Sequence, residues 1–331
     1  MALPALGGER PPVLALDIGG TKLAAGVVDG SGYVHSFHAG PSEPERGPEN
    51  GLERLFELGT RAIADAGVDV AAVGIGCGGP LDIERGVLLA PLHLPGWRDV
   101  PVAARARDAF GRPAALENDA TAAAAGEHRF GAGAGTRHMV YLTVSTGIGG
   151  GVIVDGQLYR GAMGNGGELG HVTVDWKGRL CRGCGRYGCL EAYASGTSIG
   201  ERAAEALQTA DRQSILAALD RPTAEDVAAA ARDGDPLAVQ LWDETVAALA
   251  CGLTSIVNLF EPELVVLGGG VTRVGEQLLG PVRERVKADA VRPAGSPLAI
   301  VQSALGDHVG IVGAAAIVYD RMASGLMLAH G

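Results

Sequence analysis

The 331-residue chain is poor in aromatic side chains, at 4%, and has only five cysteines and 27 Lys and Arg against 38 Asp and Glu. Each shortage excludes something. A net charge of −11 leaves no basic face for phosphate backbones or anionic bilayers, so neither a nucleic-acid nor a membrane partner is expected. The longest uncharged run, Thr245 to Phe260, is shorter than the ~20 apolar residues of a membrane span and is interrupted by Thr254, Ser255 and Asn258, so it reads as a buried helix. Residues Met1 to Arg10 lack a basic start followed by a long apolar core and read as a frayed tail, not a secretory signal. Free thiols without an export signal place the protein in the cytoplasm. The glycine turn that follows Val13 to Asp17 lacks the Walker and dinucleotide spacings, and no collagen period is present.

Glycine is abundant, with 52 residues gathered into tight clusters beside apolar runs. With 47% hydrophobic and 20% charged residues, the length suits a well-cored protein of two domains. Val13 to Asp17 is a short apolar run broken by Gly19-Gly20-Thr21, and Leu23 to Asp29 resumes it, which predicts a hairpin with a glycine-rich tip. A helix over 51–66, a strand over 70–77, a helix over 102–110 and a strand over 114–117 follow. Asn118-Asp119 then stands at the start of an alanine-rich helix, where short polar side chains cap exposed amides. The hairpin layout recurs at Met139 to Ser145, Thr146-Gly147-Ile148-Gly149-Gly150-Gly151 and Val152 to Asp155. A mostly helical stretch over 195–260, a strand over 264–267 ending in Gly268-Gly269-Gly270, and a closing helix over 310–322 complete the pattern.

Glycine-rich turns let backbone amides converge on phosphate oxygens, and Thr hydroxyls add donors. Gly19, Gly20, Thr21, Thr146, Gly147, Gly269 and Gly270 are therefore candidate phosphate ligands. Asp17 is placed to organise Mg2+ through water, and Lys22 to meet an anionic phosphate. Further along, His171-x9-Cys181-x2-Cys184-x4-Cys189 offers three thiolates and an imidazole, a closed tetrahedral set for structural zinc with no open position for a reactive water. A disulfide plus a spare thiol is the competing reading, but the count is odd and no oxidising compartment is indicated. Cys77 and Cys251 read as small core residues, and His35, His38, His93, His128 and His138 as surface or core histidines.

Six motifs carry a family resemblance: Asp17-Ile-Gly-Gly-Thr-Lys, Glu117-Asn-Asp-Ala, Ser145-Thr-Gly-Ile-Gly-Gly-Gly, Glu168-Leu-Gly-His, Cys184-Gly-Arg-Tyr-Gly-Cys-Leu-Glu and Val265-Val-Leu-Gly-Gly-Gly. In this order they resemble the sugar kinases of the ROK family (repressor, open reading frame, kinase), within the actin-like ATPase superfamily. The resemblance implies an α/β fold of two actin-like, ribonuclease H-like domains with a cleft between them and a zinc-binding loop. It also implies ATP with Mg2+, phosphorylation of a hexose, and a homodimer or homotetramer. The expected domains are 1–118, completed by a C-terminal helix over 308–331, and 119–307 with the zinc loop and a dimerisation surface. The resemblance places the catalytic aspartate on Asp119, sugar contacts on Asn118, Glu168, His171 and Glu191, and a nearby loop at Gly79. His171 would use one ring nitrogen for zinc and the other for a sugar hydroxyl. Glucose phosphorylated on its 6-hydroxyl is the expected reaction. N-acetylglucosamine, N-acetylmannosamine, mannose, allose and fructose remain alternatives, as do polyphosphate as donor and a non-catalytic sugar sensor. The repressor branch is not expected, since the phosphate hairpin starts near residue 13.

Two features depart from the family pattern. Cys181 and Cys184 are separated by Arg182-Gly183 where the family commonly has one residue; two residues still allow chelation, so the extra glycine is expected to loosen the loop without abolishing the site, with Cys181 the ligand the pattern supports least. The segment Leu92 to Trp97 has no asparagine where the family often carries one.

Overall fold

The computed structural model describes residues 10–209, 214–293 and 295–325. The expected frayed N-terminal tail, apart from Arg10, lies outside them. Side chains alternate along β1 (Val13–Ile18), where Leu14, Leu16 and Ile18 enter an apolar core while Ala15 and Asp17 take the opposite face. β1 pairs antiparallel with β2 (Lys22–Val28), and β2 antiparallel with β3 (Val34–Pro41). On its other side β1 runs parallel to β4 (Val73–Cys77). After a small ribbon of β5 (Leu81–Asp82) and β6 (Val87–Leu88), β7 (Ala114–Asn118) adds parallel to β4, giving the order β3-β2-β1-β4-β7.

Each face of this sheet selects its helix by side-chain size. The Leu14 face is covered by α1 (Gly47–Ala66), which buries Leu52, Leu55, Gly59 and Ala62 at helical spacing, and by α2 (Val102–Phe110). On the opposite face the paired residues Gly26, Ala15 and Gly74 form a row without bulk. The final helix lies close over that row. A methyl group on Gly74 would stand 2.1 Å from the Ala314 carbonyl oxygen. The alanine-rich α3 (Asp119–Phe130) packs against the final helix just as closely, since a methyl on Gly313 would meet the Ala122 carbonyl at 2.5 Å.

The second sheet repeats the first. β8 (Met139–Val144), β9 (Ile148–Val154) and β10 (Gln157–Leu158) form the antiparallel part, and β11 (Leu264–Gly268) and β12 (Ala299–Gln302) the parallel part, in the order β10-β9-β8-β11-β12. Two sheets with one order and one set of strand directions make this an α/β protein of two actin-like units.

Contacts divide the chain into Met1–Phe130 with Asp307–Gly331, and Gly131–Gly306. The division falls after Phe130, not at the Asn118–Asp119 junction, because α3 packs along the final helix and stays with the first unit.

Short α4 (Glu191–Ala194), α5 (Gly196–Thr209), α6 (Ala224–Arg232), α7 (Pro236–Phe260) and α8 (Glu276–Asp289) belong to the second unit. α7 starts earlier than the uncharged run, at Pro236 behind the Asp235 cap, whose carboxylate accepts from the Ala238 amide at 2.9 Å. By length and composition it is long enough to cross a membrane, yet 44% of its most apolar window is buried. The row Leu237, Leu241, Leu249, Leu253 and Ile256 lies in the unit's core, while Leu259 is 73% exposed. It is a core helix with one open face, not a fully buried one. Cys251 lies on that open face, so its expected place in the core is wrong, whereas Cys77 is buried at the end of β4. The final helix, α9 (Val309–Ala323), belongs to the first unit.

Candidate functional site

Three parallel strands of the first unit end together. Asp17, Gly76 and Glu117 are in register, and the next row holds Ile18, Cys77 and Asn118, with Asp119 opening α3 directly afterwards. In open α/β sheets, ligand groups gather at the carboxyl ends of strands. The Asn118 side-chain oxygen accepts from the amides of Ala120 (3.0 Å) and Thr121 (3.1 Å), capping α3. Its acceptor is therefore committed, and its amide group faces Gly79, whose missing methyl would lie 4.0 Å away. One Asp119 carboxylate oxygen accepts from the Ala120 amide at 2.8 Å, which orients the carboxylate at the helix start.

The acids shape one another electrostatically. Burial, then repulsion from Asp119, pushes Asp17 up to about 7 against the pull of Lys22. Burial also raises Asp119, opposed by the Ala120 amide and by the neighbouring His93. Gly76 supplies open floor between the two acids, its methyl position standing 3.7 Å from Asp17 Oδ1 and 3.9 Å from Asp119 Cα. Gly310, in the first turn of α9, presses on the same carboxylate, with a methyl there 2.4 Å from Asp17 Oδ2.

Gly19, Gly20 and Thr21 form the β1–β2 tip, closed by the Gly19 amide donating to the Lys22 carbonyl at 2.9 Å. Lys22 is exposed at the start of β2, its ammonium 5.8 Å from the Phe37 ring centroid. Sequence reasoning missed Gly310, which had no signal beyond its place in an apolar helix.

In the second unit the β8–β9 tip is Ser145-Thr146-Gly147, closed by the Ser145 amide donating to the Gly147 carbonyl at 2.9 Å. The amides of Gly196 and Thr197 at the start of α5 donate to the carbonyls of Ser145 and Thr146, fixing the tip from below. β11 runs parallel to β8 and brings Gly269 against Val144, where a methyl would stand 2.4 Å from the carbonyl oxygen; Gly270 follows with open space around it. Glu191 reaches the same tip, its Oε2 accepting from the Ile148 amide at 2.9 Å.

His171, Cys181, Cys184 and Cys189 converge, with all four candidate ligand atoms within 4.8 Å of one another. Cys181 Sγ stands 3.7 Å from His171 Nδ1, and Cys184 Sγ 3.5 Å from Cys189 Sγ. A tetrahedron of Zn–S and Zn–N bonds near 2.0–2.3 Å has edges of roughly 3.3–3.8 Å, so the donor set fits zinc. The far nitrogen, His171 Nε2, lies 3.9 Å from the exposed Glu168 carboxylate.

Cys181 is buried and stands with the other three, its Sγ 3.4 Å from Glu191 Oε1. The extra residue does not loosen the loop. A methyl on Gly183 would stand 2.4 Å from Glu191 Oε1, so glycine is what lets the longer loop close. Cys181 and Arg186 are tied by an amide-to-carbonyl bond of 2.8 Å, and Gly185 returns to Cys181 with the same length, making a compact knuckle.

Comparison with known proteins follows the same lines. The ROK family model matches residues 13–321. A glucokinase from Thermotoga maritima is 37% identical, over 94% of this chain and 98% of its own. The crystal structure of a ROK hexokinase from Thermus thermophilus superposes with a TM-score of 0.80 at 40% identity, covering 95% of this chain and all of its own (100%). A ROK family glucokinase from Streptomyces griseus, solved with glucose and AMPPNP, gives 0.77 at 37% identity, with 92% and 98% covered. Relatives with another role also occur: a xylose repressor from Caldicellulosiruptor bescii is 30% identical over 82% of this chain and 69% of its own.

Proposed function

Because the chain belongs to the ROK family, we propose that it is an ATP-dependent glucokinase, moving the γ-phosphoryl group of ATP to the 6-hydroxyl of glucose. The observation that carries this reading is the first unit's strand register, which delivers Asp17, Asn118 and Asp119 to one edge beside a glycine tip. Asp119 takes the hydroxyl proton. Its raised pKa makes it a stronger base than a surface carboxylate, and the Ala120 amide fixes its direction. Asn118 donates from its amide nitrogen to a neighbouring sugar hydroxyl, since its oxygen is already used in the cap. Glu168, His171 and Glu191 of the second unit supply carboxylate and imidazole partners for the remaining hydroxyls.

Gly19, Gly20, Thr21, Thr146, Gly147, Gly269 and Gly270 present backbone amides and hydroxyls to phosphate oxygens, and Lys22 adds a cation. Asp17 would hold Mg2+ through water, which would supply charge neutralisation for the transferred phosphoryl group. Zinc on His171, Cys181, Cys184 and Cys189 has a structural part, holding the knuckle that sets His171 and Glu191. The free thiols of this cluster support a cytoplasmic location, and a homodimer or homotetramer is the assembly we assign.

ADP release measured over a panel of glucose, mannose, fructose, allose, N-acetylglucosamine and N-acetylmannosamine tests the activity, with polyphosphate replacing ATP in a parallel series read by the sugar phosphate formed. Glucose should give the highest kcat/KM. Asp119→Asn should lower turnover by ~10²–10⁴ while calorimetry shows retained sugar affinity. Absence of phosphorylation on every sugar overturns the reading, and a fully active Asp119→Asn enzyme overturns the base.

A further inference from the structure

His93 takes no part in the assignments above, yet its ring lies inside the first unit's site. Its imidazole rests on two glycines from different loops. A methyl on Gly78 would stand 2.5 Å from Cε1, 3.0 Å from Nδ1 and 3.3 Å from Nε2, and one on Gly20 would stand 3.1 Å from His93 Cβ. Gly20 belongs to the β1–β2 tip, and Gly78 leads into the Gly79 position that faces the Asn118 amide. The ring therefore covers backbone at the junction of the phosphate tip and the Asn118 floor.

The loop that carries it is anchored on its far side. Leu94 and Trp97 are buried at 1% and 2% exposure, and turn bonds link Leu94 to Pro91 (3.0 Å) and Trp97 to Leu94 (3.1 Å). Gly51 leaves room for the indole, which would touch a methyl there at 2.3 Å. A residue held this firmly has a fixed ring direction, but its polar atoms are largely unspent. Among the described residues the one hydrogen-bonding contact of His93 is Nε2 to Cys77 Sγ at 4.0 Å, a long contact with a weak partner. A half-buried imidazole with no short hydrogen bond to the described residues, close enough to the proposed base to favour its charged form, offers its ring nitrogens to a ligand hydroxyl.

We propose that His93 is a specificity-determining residue for the sugar, an imidazole laid across Gly20 and Gly78 that hydrogen-bonds a hexose hydroxyl next to the one Asp119 deprotonates. The assignment rests on the sugar-kinase reading. Its chemical content separates it from simple filling of the space above the two glycines, which an apolar side chain of similar size would also achieve.

The test compares His93→Leu, which keeps bulk without nitrogen, with His93→Asn, which keeps a donor and an acceptor. Losing one hydrogen bond of ordinary net strength corresponds to roughly a tenfold change. His93→Leu should raise KM for glucose about tenfold, leave KM for ATP and the thermal midpoint near those of the wild-type enzyme, and narrow discrimination among hexoses. His93→Asn should recover much of the loss. Independently of turnover, the ring resonance of His93, identified in 13C-histidine-labelled protein by its loss in the Asn variant, should shift when glucose is added without nucleotide.

Equal KM for glucose in wild type and His93→Leu, or a ring resonance unmoved by glucose, overturns the proposal while leaving the kinase reading intact. Two variants equally impaired and equally unstable would assign His93 a packing role and overturn it as well. A wild-type enzyme that binds glucose and shifts the resonance but transfers no phosphate would instead defeat the kinase reading and retain the sugar contact.

Discussion

Replacing Gly310 by alanine should stiffen α9 and cripple nucleotide use. On helix propensity alone the change favours folding by up to ~1 kcal/mol. The new methyl, however, would begin 2.4 Å from Asp17 Oδ2 and 2.7 Å from Cγ, where roughly 3.5 Å is a comfortable separation. The carboxylate must recede by about 1 Å or α9 must lift from the row of Gly26, Ala15 and Gly74. Overpacking of this kind costs ~1–3 kcal/mol, so the two contributions leave a net loss of ~0–2 kcal/mol and a thermal midpoint lowered by a few degrees at most. Function should suffer more. A displacement of about 1 Å in a group that organises the reacting centre is enough for a ~10²-fold loss. Steady-state kinetics of Gly310→Ala with Mg2+ and ATP varied should show kcat/KM for ATP reduced on that order, with a raised Mg2+ requirement. Calorimetry without nucleotide should show sugar affinity within a factor of about two of wild type. Normal kinetics at every Mg2+ concentration would refute the argument that Asp17, pinned by Gly310, is the residue that organises the metal.

The Asp17 carboxyl, pushed up to about 7 from 3.8 by burial and then by Asp119, keeps a proton in the folded chain that the unfolded chain releases. The stability this confers is complete below the ordinary carboxyl value and is lost as pH rises through about 7, so the thermal midpoint of metal-free protein should fall across that window and fall less in Asp17→Asn. An identical slope in both proteins would remove Asp17 as its cause. At the cysteine cluster, purified protein should contain about one zinc per chain, and Cys184→Ala should lower both the metal content and the sugar affinity before it unfolds the second unit. Active enzyme free of metal would end the structural-zinc assignment.

The parts of the fold that could be read from the sequence are those whose cause is local. Apolar runs broken by Gly19-Gly20-Thr21 and by Thr146-Gly147 announce the two hairpins, and α2 runs from Val102 to Phe110 as its pattern predicts. β3 is another matter. Val34-His35-Ser36-Phe37-His38-Ala39-Gly40-Pro41 is an edge strand without a fully buried residue, so it lacks the alternation that marks a strand and is held by pairing to β2. β12 is short for the same reason, with only Ile300 buried. Val70 to Ala72 reads as strand because it is apolar, yet pairing within the sheet begins at Val73. The exposure of Cys251 depends on which way α7 turns against its sheet, and an uncharged run carries too little contrast between faces to reveal that.

The candidate site shows the same limit more sharply. Motif by motif, Gly147 stands with the phosphates, Glu191 with the sugar and Cys181 with the metal, three separate duties along the chain. In the folded second unit one carboxylate lies against them: Glu191 Oε2 accepts from the Ile148 amide, and Oε1 stands 3.4 Å from Cys181 Sγ. Gly147 and Gly183 approach that carboxylate from two sides, with methyl positions at 2.7 Å and 2.4 Å from its oxygens. Both glycines are thus required by an acid distant from Gly147 in sequence, and no local pattern announces such a requirement. The cysteine knuckle and the β8–β9 tip are both packed against the Glu191 carboxylate. On the proposed assignment of Glu191 to the sugar and Gly147 to phosphate, a perturbation at Gly147 should reach both, so substitutions in this corner should separate the two substrates less cleanly than substitutions around Asp17.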